Sequence, residues 1–283
     1  MRRDSSAPRP VALGTLCPAG GADDAFGVGV SSLRAVVEAG SRIAGVSEVV
    51  VVTGSSSGIG RAVAERFASD GARVVVNSSR SVEEGEMLAR SLPEAVYVQG
   101  DVSREEDARR LVATALERFG RLDVVVNNAG TTRRVPFADL EGADDELWQR
   151  ILGVNLMGPW YLGRAAVPAL REAKGAIVNV GSVAGIIAAG SSLPYAVSKA
   201  ALHHLTRTLA QALAPAVRVN AVAPGLVDTP WTAGWGANEA VVARTPLGRA
   251  ATPEDVADIV VSLARTPFAT GQVVVVDGGL TLT

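Results

Sequence analysis

The sequence predicts an α/β fold: a doubly wound parallel sheet of seven strands with helices on both faces, in a single domain. Three observations carry this. Runs such as EVVVVTG are continuously apolar and rich in valine, as strands buried on both faces require. Between the runs stand segments of helical spacing, ten or more residues long. The two kinds of segment alternate from Ser47 onward, the pattern of parallel strands joined by crossover helices.

Each element follows in order. EVVVVTG is the first strand, and GIGRAVAERFASDG, closed by glycine, the first helix. ARVVVN, a helix near 82–92, AVYVQG, a helix near 103–119 and LDVVVNNAG continue the alternation. A long helix over about 144–172 leads to GAIVNVGS, and another over about 195–214 leads to AVRVNAVAPG. A helix near 253–264 and the strand QVVVVDGG complete the series. In such a sheet, ligands are expected outside the carboxyl ends of the strands.

Residues 1–46 read differently: proline, glycine, arginine and serine occur there without period. They are expected to be a disordered extension or a misassigned start, with the domain proper over 47–283. The segment lacks the continuous apolar stretch of a secretory signal. The formal net charge of −2 gives no electrostatic case for nucleic acid or an anionic membrane as partner. No apolar run reaches the ~18 residues that span a bilayer. The lone Cys17 excludes an intrachain disulfide and offers no metal cluster. These features point to a soluble protein of a reducing cytoplasm.

TGSSSGIG, Thr53 to Gly60, joins the first strand to the first helix. Gly54 suits a tight turn, Gly58 lets backbone approach a pyrophosphate, and Gly60 permits close packing of helix on strand. The helix N-terminus offers free N–H groups to phosphates. Placed on a first strand and helix, the glycine triplet reads as a dinucleotide loop rather than an ordinary turn. The second strand ends in NSSRS, without an acid for a ribose 2′-hydroxyl. Ser78, Ser79 and Arg80 there suit a 2′-phosphate, so NADP(H) is favoured, with NAD(H) the alternative. The plain reading of Arg80 is a solvated residue before a helix.

The chain has only two lysines, and one of them, Lys199, stands four residues after Tyr195. On a helix the pair shares one face. A free tyrosine titrates near ~10, and a nearby ammonium is expected to lower that value and make the phenol an acid/base at an alcohol oxygen. Ser182, in NVGSVAG just past a strand, is placed either to hold a carbonyl oxygen or to cap a turn. Asn155 lies within the predicted long helix, where asparagine has poor propensity; the bland reading is a helix-bending hydrogen bond.

Together these residues resemble the short-chain dehydrogenase/reductase family, in its compact single-domain branch with a Rossmann fold and similar to 3-oxoacyl-carrier-protein reductases. The resemblance runs from about Ser47 to the C-terminus, in order through TGSSSGIG, Asp101–Val102, NNAG at 127–130, Asn155, Ser182, Tyr195 with Lys199, Pro224–Gly225 and Thr229. It implies Tyr195 as acid/base, Ser182 orienting the carbonyl and Lys199 binding the nicotinamide ribose. Asn155 would support a water-linked proton relay. Asp101 and Val102 would contact the adenine, Asn128, Ala129 and Gly130 would border the cofactor, and Val227 and Thr229 would hold the carboxamide. The candidate cofactor set is completed by Gly54, Ser56, Ser57, Gly58, Ile59, Gly60, Ser78, Ser79, Arg80, Pro224 and Gly225, with Tyr195 and Lys199 shared. The resemblance also implies a homotetramer or a homodimer, packed through the two long helices and the last strand.

Residues 229–247 follow a strand end and read as a mobile lid. Trp231 and Trp235 either line an apolar substrate pocket or anchor that lid. Arg133 and Arg134 either attract an anionic substrate or form a solvated pair, the latter preferred. His203 and His204 are the only histidines, so packing or interface roles are expected rather than a metal site. The leading function is hydride transfer between NADP(H) and a carbonyl or secondary alcohol, with a 3-oxoacyl thioester as the first substrate. A sugar, steroid or polyketide alcohol is the alternative, and a non-catalytic cofactor sensor a second class.

Overall fold

The computed structural model describes residues 47–283 apart from 234, 236 and 237; the N-terminal segment, Cys17 included, lies outside the described residues. The strands are β1 (Val49–Val52), β2 (Arg73–Ser78), β3 (Ala95–Gln99), β4 (Val124–Asn127), β5 (Ala176–Val180), β6 (Arg218–Pro224) and β7 (Val273–Val276). The helices are α1 (Gly58–Ser69), α2 (Val82–Ser91), α3 (Glu105–Phe119), α4 (Asp145–Leu152), α5 (Gly158–Ala173), α6 (Leu193–Leu213), α7 (Asn238–Arg244) and α8 (Pro253–Arg265). The seven strands form one parallel sheet in the order β3-β2-β1-β4-β5-β6-β7.

The period of two in β1 divides the core between two layers. Val50 and Val52 pack with Phe67 of α1, Leu88 of α2 and Val256 and Val260 of α8. Val49 and Val51 pack on the other face with Leu111 of α3, Leu162 and Leu170 of α5 and Leu213 of α6. Burying Phe67 completely is worth roughly 2–3 kcal/mol. The strand order reverses between β1 and β4, which opens a crevice at their carboxyl ends.

One expectation needs adjustment. The long helix over 144–172 is broken into α4, a π turn over Gly153–Met157, and α5. β7 is an edge strand with one neighbour, and its valines are half-exposed. The stretch 229–247 includes α7. Among the described residues no helix is long and apolar enough to cross a membrane.

Candidate active site

The turn from β1 into α1 shows why its glycines are glycines. Gly54 and Gly58 have φ of +61° and +53°, conformations that suit a residue without Cβ. A Cβ on Gly60 would stand 2.4 Å from both Asn128 Nδ2 and the Gly54 carbonyl oxygen. Asn128 donates from that amide to the Thr53 and Gly54 carbonyls, and the Thr53 hydroxyl accepts from the Asn128 and Ala129 N–H groups. The loop after β1 and the loop after β4 are thereby tied together. At the head of α1, Ser57 makes no side-chain cap and the first turn holds no acid. The site therefore retains the electropositive end of a helix.

A cavity of about 1060 Å³ runs across the carboxyl ends of the strands. Every candidate site residue lines it except Gly60 and Asn155. The walls also include Thr131, Gln149, Ile187, Trp231, Trp235, Arg244 and Leu280. Of these only the two tryptophans were legible in the sequence; Ile187 and Leu280 come from a turn and the C-terminus, with no periodic signal.

At the end of β2, Ser78 departs from expectation. Its hydroxyl donates to the Ser81 carbonyl at 2.8 Å and pairs with the Tyr97 hydroxyl at 2.9 Å, so it braces the turn. Ser79 and Arg80 are exposed on the cavity wall. Asn77 is the residue whose structural part was missed: its buried amide donates to the Val98 and Gly100 carbonyls and accepts from Gly54 N–H. Asp101 is partly committed as well, accepting from the backbone and hydroxyl of Ser103.

Ser182 follows β5 directly. Its hydroxyl accepts from Ala184 N–H at 3.2 Å, as a turn cap does, and Ser182 lines the same cavity as Tyr195. Tyr195 is in the first turn of α6, and Lys199 is one turn further on. Lys199 Nζ donates to the Val180 carbonyl at 2.8 Å and lies 5.7 Å from the centre of the Tyr195 ring. Burial pushes the Lys199 ammonium down to about 8. Burial also raises the Tyr195 phenol above its ordinary value, against a smaller opposing pull from Ser182. The expectation that the lysine lowers the phenol is thus corrected: here burial dominates, and the protonated phenol is the favoured form.

Asn155 sits in the π turn, fully buried. Its amide accepts from Thr131 N–H and donates to the Thr131 carbonyl and the Ser198 hydroxyl. Arg133 pairs with Asp144, and Arg134 donates to the Trp235 carbonyl and lies 5.9 Å from its ring. Both arginines are therefore engaged with protein groups. His203 is buried and His204 exposed, and among the described residues no group of side chains could hold a metal ion.

The arrangement joins a glycine cradle at a helix N-terminus to a serine, tyrosine and lysine at the far end of one cavity. This chain belongs to the short-chain dehydrogenase/reductase family and is an oxidoreductase acting on CH–OH or keto groups with NAD(P). A family model described as enoyl-(acyl carrier protein) reductase matches residues 54–281. A protein described as ketoacyl reductase 2 of the granaticin polyketide synthase of Streptomyces violaceoruber is 57% identical over 236 residues, covering 82% of this chain and 95% of that one. A 3-oxoacyl-[acyl-carrier-protein] reductase of Thermotoga maritima is 38% identical over 245 residues, covering 83% and 98%. A solved structure described as a short-chain dehydrogenase/reductase of Burkholderia xenovorans is 37% identical, with a TM-score of 0.79, covering 85% and 100%.

Proposed function

We propose that the protein is an NADP(H)-dependent reductase of 3-oxoacyl thioesters, with Tyr195 as the acid that protonates the new alcohol oxygen. The observation that carries this is that Ser182, Tyr195 and Lys199 line one cavity at the strand ends, with Lys199 one helix turn from Tyr195. When bound, the reduced nicotinamide supplies the hydride. The residues fit such a group: the positive-φ glycines and the uncapped α1 N-terminus suit a pyrophosphate, and the cavity of about 1060 Å³ leaves room for the rest of a dinucleotide.

The chain's own residues supply the rest. Ser182 donates to the substrate carbonyl oxygen and holds it at the phenol. Tyr195, kept protonated by burial, gives its proton as charge develops on that oxygen. The Lys199 ammonium stabilises the phenolate left behind. Asn155 holds the loop after β4 in place, and with the π turn supports a water-linked route for the returning proton. Ser79 and Arg80, without a carboxylate at the end of β2, support NADP(H) over NAD(H). The names of the two ketoacyl and oxoacyl relatives support the substrate class, and the granaticin relative favours a polyketide carbonyl as the second reading.

The domain is proposed to span 47–283, in a cytoplasmic homotetramer or homodimer. The test is NADPH oxidation by purified protein across a carbonyl panel that includes a β-keto thioester. Turnover is expected to fall by about 10³-fold or more in Tyr195→Phe, and Arg80→Ala is expected to weaken NADPH about tenfold while leaving NADH unchanged. Tight NADPH binding with no turnover on any carbonyl would replace this reading with that of a cofactor sensor.

A further inference from the structure

The turn that follows β2 places Ser79 and Arg80 on the cavity wall, while its carbonyls are held by the protein. The Ser78 carbonyl accepts from Gly100 N–H at 3.0 Å, and the Ser79 carbonyl from Gln99 Nε2 at 3.2 Å. The Arg80 carbonyl accepts from Val82 N–H at 2.9 Å. The Ser81 carbonyl accepts twice, from Gly85 N–H at 3.1 Å and from the Ser78 hydroxyl at 2.8 Å. Carbonyl oxygens and a phosphate repel each other, so tying these four down keeps the wall fit for an anion.

Tyr97 of β3 fastens this turn from the neighbouring strand. Its hydroxyl stands 2.9 Å from that of Ser78. A carbonyl can only accept, so the Ser78 proton is directed to Ser81 and the Tyr97 hydroxyl is the donor to Ser78. The other acceptor within its reach, the Ser78 carbonyl, is at 3.5 Å and competes weakly. The result is a relay from Tyr97 through Ser78 to the Ser81 carbonyl. Tyr97 and Gln99 stand two apart on β3, hence on one face of it, and both reach the same turn.

The chain departs from helix propensity to seat the ring. Gly85 lies inside α2, where glycine is a poor helix former, and a Cβ there would collide with the Tyr97 ring. The ring is thus set against Gly85, which fixes where its hydroxyl points. A phenylalanine would fill that seat equally well, so the hydroxyl is the feature that needs a reason.

We propose that Tyr97 is a positioning residue for the 2′-phosphate of NADP(H), holding through Ser78 the turn that presents Ser79 and Arg80. The proposal rests on the NADP(H) reading and is tested by binding alone, with no carbonyl substrate present. Dissociation constants for NADPH and NADH are read from nicotinamide fluorescence in the parent, Tyr97→Phe, Ser78→Ala and the double variant. In Tyr97→Phe the NADPH constant is expected to rise about fivefold and the NADH constant by less than about twofold, because only NADPH carries the group that the turn meets. Ser78→Ala is expected to lose at least as much, and the double variant to match it within about twofold, since the relay is already cut.

A preference for NADPH in Tyr97→Phe equal to the parent's overturns the proposal and leaves the NADP(H) reading standing. So does an equal loss of both cofactors, which is what a merely structural role would give. A double variant whose loss is the product of the two single losses overturns it as well. Should Ser78→Ala not fold, the phenylalanine variant decides alone by the change in preference. A parent without preference for NADPH removes the NADP(H) reading and the proposal together.

Discussion

Tyr195 and Lys199 show how one helix turn sets a protonation state. Both groups are pushed by burial toward their neutral forms, the phenol up and the ammonium down to about 8. The lysine therefore loses its proton first as pH rises. Its folded value lies below the ordinary 10.5, so its burial costs stability below pH 8 and that cost is relieved between about 8 and 10.5. For activity the sign is the opposite, because the ammonium is the useful form. The kcat/KM of carbonyl reduction is expected to fall with an apparent pKa near 8, measured from pH 6 to 10. A flat profile through pH 10 would show that the ammonium is not needed in the reducing direction.

At the scale of elements, two helices illustrate how side chains finish what the backbone leaves open. The π turn at Gly153–Met157 is bracketed by glycines, and Gly158 approaches Val102 so closely that a Cβ would stand 2.8 Å from its Cγ2. Within the turn, Asn155 pairs with both polar groups of the Thr131 backbone, which accounts for an asparagine inside a helix. At the other end of the sheet, α8 begins with a capping box between Thr252 and Asp255 and with Pro253 in its first turn. It ends on Arg218 of β6, whose guanidinium donates to the Leu263, Ala264 and Thr266 carbonyls. These include carbonyls that a helix C-terminus leaves without partners, and the positive charge suits that end of the dipole. Arg218→Ala is expected to lower stability by about 2 kcal/mol, read from the urea midpoint, with the slope unchanged. A loss within about 0.5 kcal/mol would mean that water serves those carbonyls equally well.

For the whole molecule, the sheet ends in two open edges, and β7 is the one flanked by exposed apolar side chains. Phe268 is 102% exposed and Leu282 87%, with Val275 of β7 itself at 40%. Edge strands with exposed apolar neighbours attract further chain, which supports the proposed assembly of subunits. Light scattering is expected to give a mass of two or four chains, and Phe268→Arg to shift it toward smaller species while cofactor binding persists. A monomeric parent protein would remove this reading.

The doubly wound fold was legible because continuous valine runs separated by helical spacing have few other uses. β1 and β4 to β6 lie where those runs stand, buried as read. The glycine loop and the order of Ser182, Tyr195 and Lys199 were legible too, since spacing along one helix and position at a strand end are local properties. The half-exposure of β7 was not legible, because edge position depends on the order of strands in space rather than along the chain. Nor were the inward turn of the Ser78 hydroxyl, the commitment of Arg133 and Arg134, or the upward push on Tyr195. The sequence by itself determined the glycine loop and the Ser182, Tyr195 and Lys199 set, because their chemistry and spacing are written locally. Only the tertiary structure decided which of them are already engaged and how they titrate, because hydrogen bonds and desolvation come from neighbours distant in the chain.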